Sequence, residues 1–206
     1  EQWSVRNQDL DSYIVDSGQL TMINAQANKG PAAANTPNLF DATIDLPSGD
    51  WDLTVKGKFE FSTGRDAFVM GLSDDAGNAV YSVLWSHVNS YVAYRWTAVL
   101  KYKGFSNPAA EARLNYVYPS GENKDLKVMS QNFAANDTTM TLHKRGRKYY
   151  TSVNGGPAGE EGKTETLTLI RTPKRLTLFA HKYGNWTGDT VINLDWVKLT
   201  ARCSSC

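Results

Sequence analysis

Three observations predict an all-β fold, an antiparallel β-sandwich of jelly-roll type. The first is "WDLTVKGKFEF", in which Trp51, Leu53, Val55, Phe59 and Phe61 alternate with Asp52, Thr54, Lys56, Lys58 and Glu60. That is the period-two signature of a half-buried strand, and Gly57 is its only gap. The second is a succession of about ten or more short β-rich runs separated by turn residues. The third is that no window sustains a helical period beyond about two turns; "NPAAEARL" is too short to change the class.

The elements follow in order. "AFVMGL" runs through the turn "SDDAGN" into "AVYSVLW", a predicted hairpin. "EARLNYVY" ends at the turn cluster "PSGENKD", and "TTMTLHK" and "KYYTSVNGG" flank "RGR" as a second tight hairpin. "ETLTLI", "RLTLFAHK" and "TVINLDWVKLTA" close the sandwich. The small, polar stretch from Asn24 to Asn38 reads as a long surface loop. Residues 1–202 are expected to form one domain, with 203–206 as a tail or the start of a linker.

Composition sets limits on function. The 206 residues suffice for one well-filled sandwich. A net charge of +1 gives no global attraction to nucleic acid or anionic membrane. No apolar run approaches the roughly 18 residues that span a bilayer. The opening "EQWSVRN" lacks both Met and an apolar leader segment, which reads as a processed form or an excised module. Cys203 and Cys206, in "ARCSSC", cannot complete a zinc site by themselves and have no helix beside them to make a redox pair.

Taken together, "W.V.....YIVDSGQLTM", "DWDLTVKGKFEF", "TMTLHKRGRKYYTSVNGG" and "RLTLFAHK...TVINLDWVKLT" resemble the concanavalin A-like (laminin G-like) sandwich modules. The resemblance spans most of the chain in order. It implies a carbohydrate-related, secreted module of the kind found beside polysaccharide-degrading enzymes, in a fold shared with lectins, glucanases and polysaccharide lyases. It also implies a structural Ca²⁺ on the convex side, held by a last-strand Asp, for which Asp195 occupies the matching place. The other reading of Asp195 is a carboxylate paired with a nearby Lys or Arg.

Catalytic signatures are sparse. Retaining glucanases of this fold carry two carboxylates on one strand, aimed at one sugar from about 5–5.5 Å apart. Here Glu60 has no second carboxylate near it on its strand, and Glu160 and Glu161 are adjacent in a Gly-rich loop with opposed side chains. There is no G-x-S-x-G elbow, phosphate loop or H-E-x-x-H helix. His87, His143 and His181 lie far apart on different predicted strands, which argues against a three-His metal site.

The stretch "YSVLWSHVNSYVAYRWTAVLKYKGF", from Tyr81 to Phe105, is the main binding candidate. A turn near "SHVNS" is expected to split it, since 25 residues exceed one strand. Its second limb sets Tyr91, Arg95, Thr97, Lys101 and Lys103 on one face and Val92, Tyr94, Trp96, Ala98, Leu100 and Tyr102 on the other. Rings stack on pyranoses, while Arg, Lys, Asn and His donate to hydroxyls or carboxylates. His87, Asn89, Tyr91, Arg95 and Lys101, with Tyr183 and Trp186 from the loop "HKYGNWTGD", form the expected ligand-binding set.

The resulting expectation is a non-catalytic carbohydrate-binding or lectin-like module whose partner is a polysaccharide. The alternative is a jelly-roll polysaccharide lyase acting on a uronate polymer. There His87 would be the base, Tyr183 the acid, and Arg95 and Lys101 the carboxylate clamp. The arginine-rich strand of such lyases is not recognisable here. A protein-binding adhesion module is a third class on the same fold.

Overall fold

A computed structural model describes residues 3–6, 8–24, 38–61, 65–74, 78–85, 92–93, 96–101, 131–132, 138–155, 165–166, 172–183 and 190–202. The first strands are β1 (Trp3–Arg6), β2 (Tyr13–Asp16), β3 (Gln19–Asn24), β4 (Leu39–Thr43) and β5 (Asp50–Glu60), with a 3-10 turn at Leu10–Ser12. Next come β6 (Arg65–Ser73), β7 (Asn78–Trp85), β8 (Val92–Ala93), β9 (Trp96–Lys101) and β10 (Gln131–Asn132). The last are β11 (Thr138–Arg145), β12 (Lys148–Val153), β13 (Glu165–Thr166), β14 (Arg175–Tyr183) and β15 (Thr190–Arg202).

These strands form two large antiparallel sheets. One has six strands in the order β1-β4-β14-β6-β7-β9, and the other seven in the order β13-β12-β11-β5-β15-β3-β2. A two-stranded ladder joins β10 to β8. The fold is an all-β sandwich, as the alternation requires. Trp51, Leu53, Val55, Phe59 and Phe61 are buried between the sheets and meet Phe68, Met70, Leu72, Leu84, Leu176 and Leu178 from the opposite sheet. Rings interlock there: Phe59 and Phe68 lie 5.1 Å apart, and Trp51 meets Tyr149 edge-on at 5.9 Å. Burial also pushes the Tyr149 phenol up to about 12.

Both predicted hairpins form. β6 pairs with β7 from Ala67–Trp85 to Ser73–Ala79, and β11 pairs with β12 around Gly146 and Arg147. The turn between β2 and β3 is two residues, Ser17 and Gly18, both at positive φ (50° and 81°). That backbone twist matches a hairpin, and glycine reaches it without strain. Between the sheets, Ser82 and Thr151 share a buried hydrogen bond of 2.8 Å, so a polar pair inside the core is satisfied.

Strand β15 departs from simple alternation. Ile192 and Leu194 face the core, then the register against β5 shifts between Leu194 and Trp196. Beyond this bulge Val197 and Leu199 take the core side, opposite Val55 and Leu53. Gly57 sits at the shift, paired with Leu194. A Cβ there would collide with the Asn193 carbonyl oxygen and lie 3.1 Å from the Leu194 Cα. Glycine is required by this close backbone approach.

The two outer faces differ. On the six-stranded sheet, Leu39, Asp41, Val69, Thr177 and Phe179 have the parity opposite to the inter-sheet core, yet all five are buried. On the seven-stranded sheet, Thr54, Lys56, Lys58, Thr139, Thr141, Asn193, Trp196, Lys198 and Thr200 are partly or fully exposed.

Candidate functional site

The densest polar constellation among the described residues lies on the outer face of the seven-stranded sheet. Cross-strand register builds it. His143 on β11 stands opposite Asp52 on β5 and Tyr150 on β12, while Thr200 on β15 pairs with Asp52. Asp52 is only 3% exposed. Its carboxylate accepts from His143 Nδ1 at 2.7 Å, from Arg145 at 2.6 Å and from Arg202 Nε at 2.6 Å. His143 Nε2 faces the Ser152 hydroxyl at 2.7 Å. Since a carboxylate only accepts, Nδ1 carries the proton, and Nε2 accepts from Ser152. The Tyr150 ring stacks on the imidazole at 4.6 Å, and the Arg145 guanidinium lies 5.9 Å from the centre of that ring.

Electrostatics follow from this packing. Burial by itself would raise the Asp52 pKa, but the hydrogen bonds from Arg145, His143 and Arg202 outweigh it and hold the group below its ordinary value. Burial pushes His143 down. Asp52 opposes that shift, and the Arg145 and Arg202 charges add to it. His143 is therefore a neutral imidazole near neutral pH.

Ser152, His143 and Asp52 have the connectivity of a nucleophile, base and orienting acid. Acyl transfer also needs donors aimed at a developing oxyanion. The cationic donors beside this array are already committed. Arg145 donates to Asp52 and to the Trp51 and Lys144 carbonyls, and Arg202 donates to Asp52. The Thr54 and Thr141 hydroxyls bond each other at 3.0 Å. The cluster is a polar strap that ties β5, β11, β12 and the end of β15 together.

A second cluster lies on the outer side of the six-stranded sheet. Asp41 on β4 forms an ion pair with Arg6 on β1 and accepts from the Thr177 hydroxyl on β14 at 2.5 Å. These bonds join the three strands at that end of the sheet.

Of the residues expected to bind ligand, His87, Asn89, Tyr91, Arg95 and Trp186 lie outside the described residues, as do Lys103, Cys203, Cys206, Glu160 and Glu161. For Lys101 on β9 and Tyr183 on β14 only the backbone is described. The register is informative there. Thr97 pairs with Ser82, in line with core-facing Met70, while Trp96 pairs with Val83, in line with Val69. The β9 limb thus continues the β6–β7 ladder in register.

Asp195 is described in full. It is exposed at the bulge of β15, where it accepts from Gln19 Nε2 at 2.9 Å and faces Lys56 Nζ at 4.0 Å. Calcium wants six to eight oxygens. An amide N–H and an ammonium directed at one carboxylate are the surroundings of a paired Asp, and they do not fit a cation cradle. No group of three or more His, Cys, Asp or Glu suited to a metal occurs among the described residues.

The clustering around His143 and the exposure of Trp196 are not local properties of the sequence. The hairpin around Gly146 could have paired His143 with Tyr150 by counting from the turn, but Asp52 is 91 residues from His143. For Trp196, the available signal was the break in alternation within "INLDWVKL".

No family model and no curated protein matches this sequence. Solved structures do. The GH43 protein BlXynB from Bacillus licheniformis, in a mutant form, aligns at a TM-score of 0.57 and 13% identity, over 97% of this chain and 37% of its own. The Bacteroides ovatus xyloglucan-locus protein GH43B aligns at 0.59 and 11%, over 97% and 36%. An uncharacterized protein from Mycobacterium paratuberculosis aligns at 0.55 and 9%, over 96% and 91%. At these identities the likeness establishes the fold. The chain spans little more than a third of the two GH43 proteins.

Proposed function

We propose that the chain is a non-catalytic, concanavalin A-like carbohydrate-binding module of an extracellular protein. One observation carries this reading: the outward face of the seven-stranded sheet is polar and largely half-exposed. Hydroxyls of Thr54, Thr139, Thr141 and Thr200, the Asn193 amide and the ammonium groups of Lys56, Lys58 and Lys198 lie on it in strand register. Sugars present hydroxyls at comparable density, and such a face offers them donors and acceptors without a deep pocket. The fold likeness to chains named as GH43 glycoside hydrolases supports a carbohydrate partner.

The carboxylates favour binding over cleavage. Four of the carboxylates on the two sheets are committed: Asp52 to His143 and two arginines, Asp41 to Arg6 and Thr177, Glu60 to Lys58 at 2.5 Å, and Asp195 to Gln19. Retaining or inverting hydrolysis needs one carboxyl group protonated and a second free to act. His87, Asn89, Tyr91, Arg95, Lys101, Tyr183 and Trp186 remain the proposed contacts from the other sheet and its loops.

The test is a panel of soluble polysaccharides scored for retention in affinity gels and for product formation. Retention without new reducing ends or unsaturated uronate absorbance is the expected result. Absorbance from unsaturated ends, lost in His87→Ala and Tyr183→Phe, would make the lyase alternative correct.

A further inference from the structure

We infer that Trp196 is a stacking platform for an acidic polysaccharide, bracketed by Lys56 and Lys198 on the open face of the seven-stranded sheet. The inference rests on the carbohydrate-binding reading above and names the ring and the ligand charge. Trp196 is 42% exposed. Other exposed large apolar side chains among the described residues sit at margins: Trp3 on edge strand β1, Ile14 and Val15 on edge strand β2, and Leu10 in the 3-10 turn. Trp196 lies on β15, paired with Lys56 of β5 on one side and just past Leu194, where the pairing of β15 with β3 ends, on the other.

The backbone is built to turn this ring outward. Unbroken alternation from Ile192 and Leu194 would send residue 196 into the core. The bulge reverses the parity, so that Trp196 pairs with Lys56 on the outer face while Val197 pairs with core-facing Val55. The close approach at Gly57 makes room for that shift. Bulges re-aim side chains, and this one leaves the indole partly in solvent on the outer face.

Charge selects the ligand class. Lys56 lies across the ladder from the ring, and Lys198 follows two residues along the same strand, opposite Thr54. Asp195, next to Trp196 in sequence, already accepts from Gln19 and faces Lys56. Lys198 is exposed and makes no ion pair among the described residues. A sugar stacked on the indole would present its uronate or sulfate to these ammonium groups.

Affinity electrophoresis with polygalacturonate and with neutral laminarin tests this, on wild type, Trp196→Ala, Trp196→Tyr and Lys198→Glu. Expected results are retardation by polygalacturonate that weakens as salt rises, and a loss of about tenfold or more in Trp196→Ala. Lys198→Glu should lose a similar factor, Trp196→Tyr should keep most of the binding, and all variants should melt as wild type does. Retention of wild type with unchanged binding by Trp196→Ala would overturn the platform while leaving the carbohydrate reading intact. Retention by laminarin alone would overturn the acidic ligand. Concentration-dependent dimers in sedimentation, abolished by Trp196→Ala, would make a second copy the occupant and overturn the inference. Failure to bind any glycan of the wider panel would remove both readings together.

Discussion

Gly57 and Asn193 approach so closely across the β5–β15 ladder that no side chain fits between them. The Asn193 carbonyl oxygen occupies the place a Cβ would take. At this point the ladder changes register, so one missing methyl group determines which face carries Trp196.

Gly57→Ala is therefore expected to destabilise the sandwich by about 1–3 kcal/mol, the range for forcing an extra carbon into a packed site. The contact is with backbone, which cannot rotate away. Chemical denaturation would measure this, and a midpoint equal to wild type would show that the ladder relaxes freely.

Asp52 is the hub of the polar strap, and its removal leaves His143, Arg145 and Arg202 without their shared acceptor. Asp52→Ala should cost about 3 kcal/mol, toward the low end for breaking a buried pair because the guanidinium groups reach solvent. Ser152→Ala removes one neutral hydrogen bond and should cost about 1 kcal/mol. Equal losses in the two variants would contradict the hub role.

His143 predicts an acid-sensitive stability. Its folded pKa is depressed below 6.5, so the unfolded chain binds the proton more readily. The contribution is complete above about pH 6.5 and declines as pH falls below it, by at most about 1.4 kcal/mol per pH unit. Asp52, held below 3.8, adds a second loss only when pH falls under that value. Thermal melts of wild type and His143→Gln between pH 7.5 and 4.5 should diverge in slope below pH 6.5. Parallel profiles would show that His143 does not titrate with unfolding.

Asp195 yields a prediction about metal. Calcium there would have to displace Lys56 and reorient Gln19, so a chelator should leave the melting temperature unchanged. A rise in melting temperature with added calcium, absent in Asp195→Ala, would restore the calcium reading by mass action.

The sequence by itself determined the class, the core row and the hairpins, because those signals are local. Alternation in "WDLTVKGKFEF" leaves one consistent apolar face, and Trp51, Leu53, Val55, Phe59 and Phe61 occupy it. Turn chemistry at Gly146 likewise specified the β11–β12 hairpin. Tertiary structure decided the rest through contacts between distant segments. Asp52 meets His143 only because β5 and β11 become neighbours, and the β7–β9 register puts Thr97 on the row of Ser82. Trp196 shows the division most clearly. Its sequence shows a broken alternation, but only the pairing of β15 with Gly57 determines on which side of the break the ring emerges. Side-chain period is a property of one strand, whereas register is a property of two.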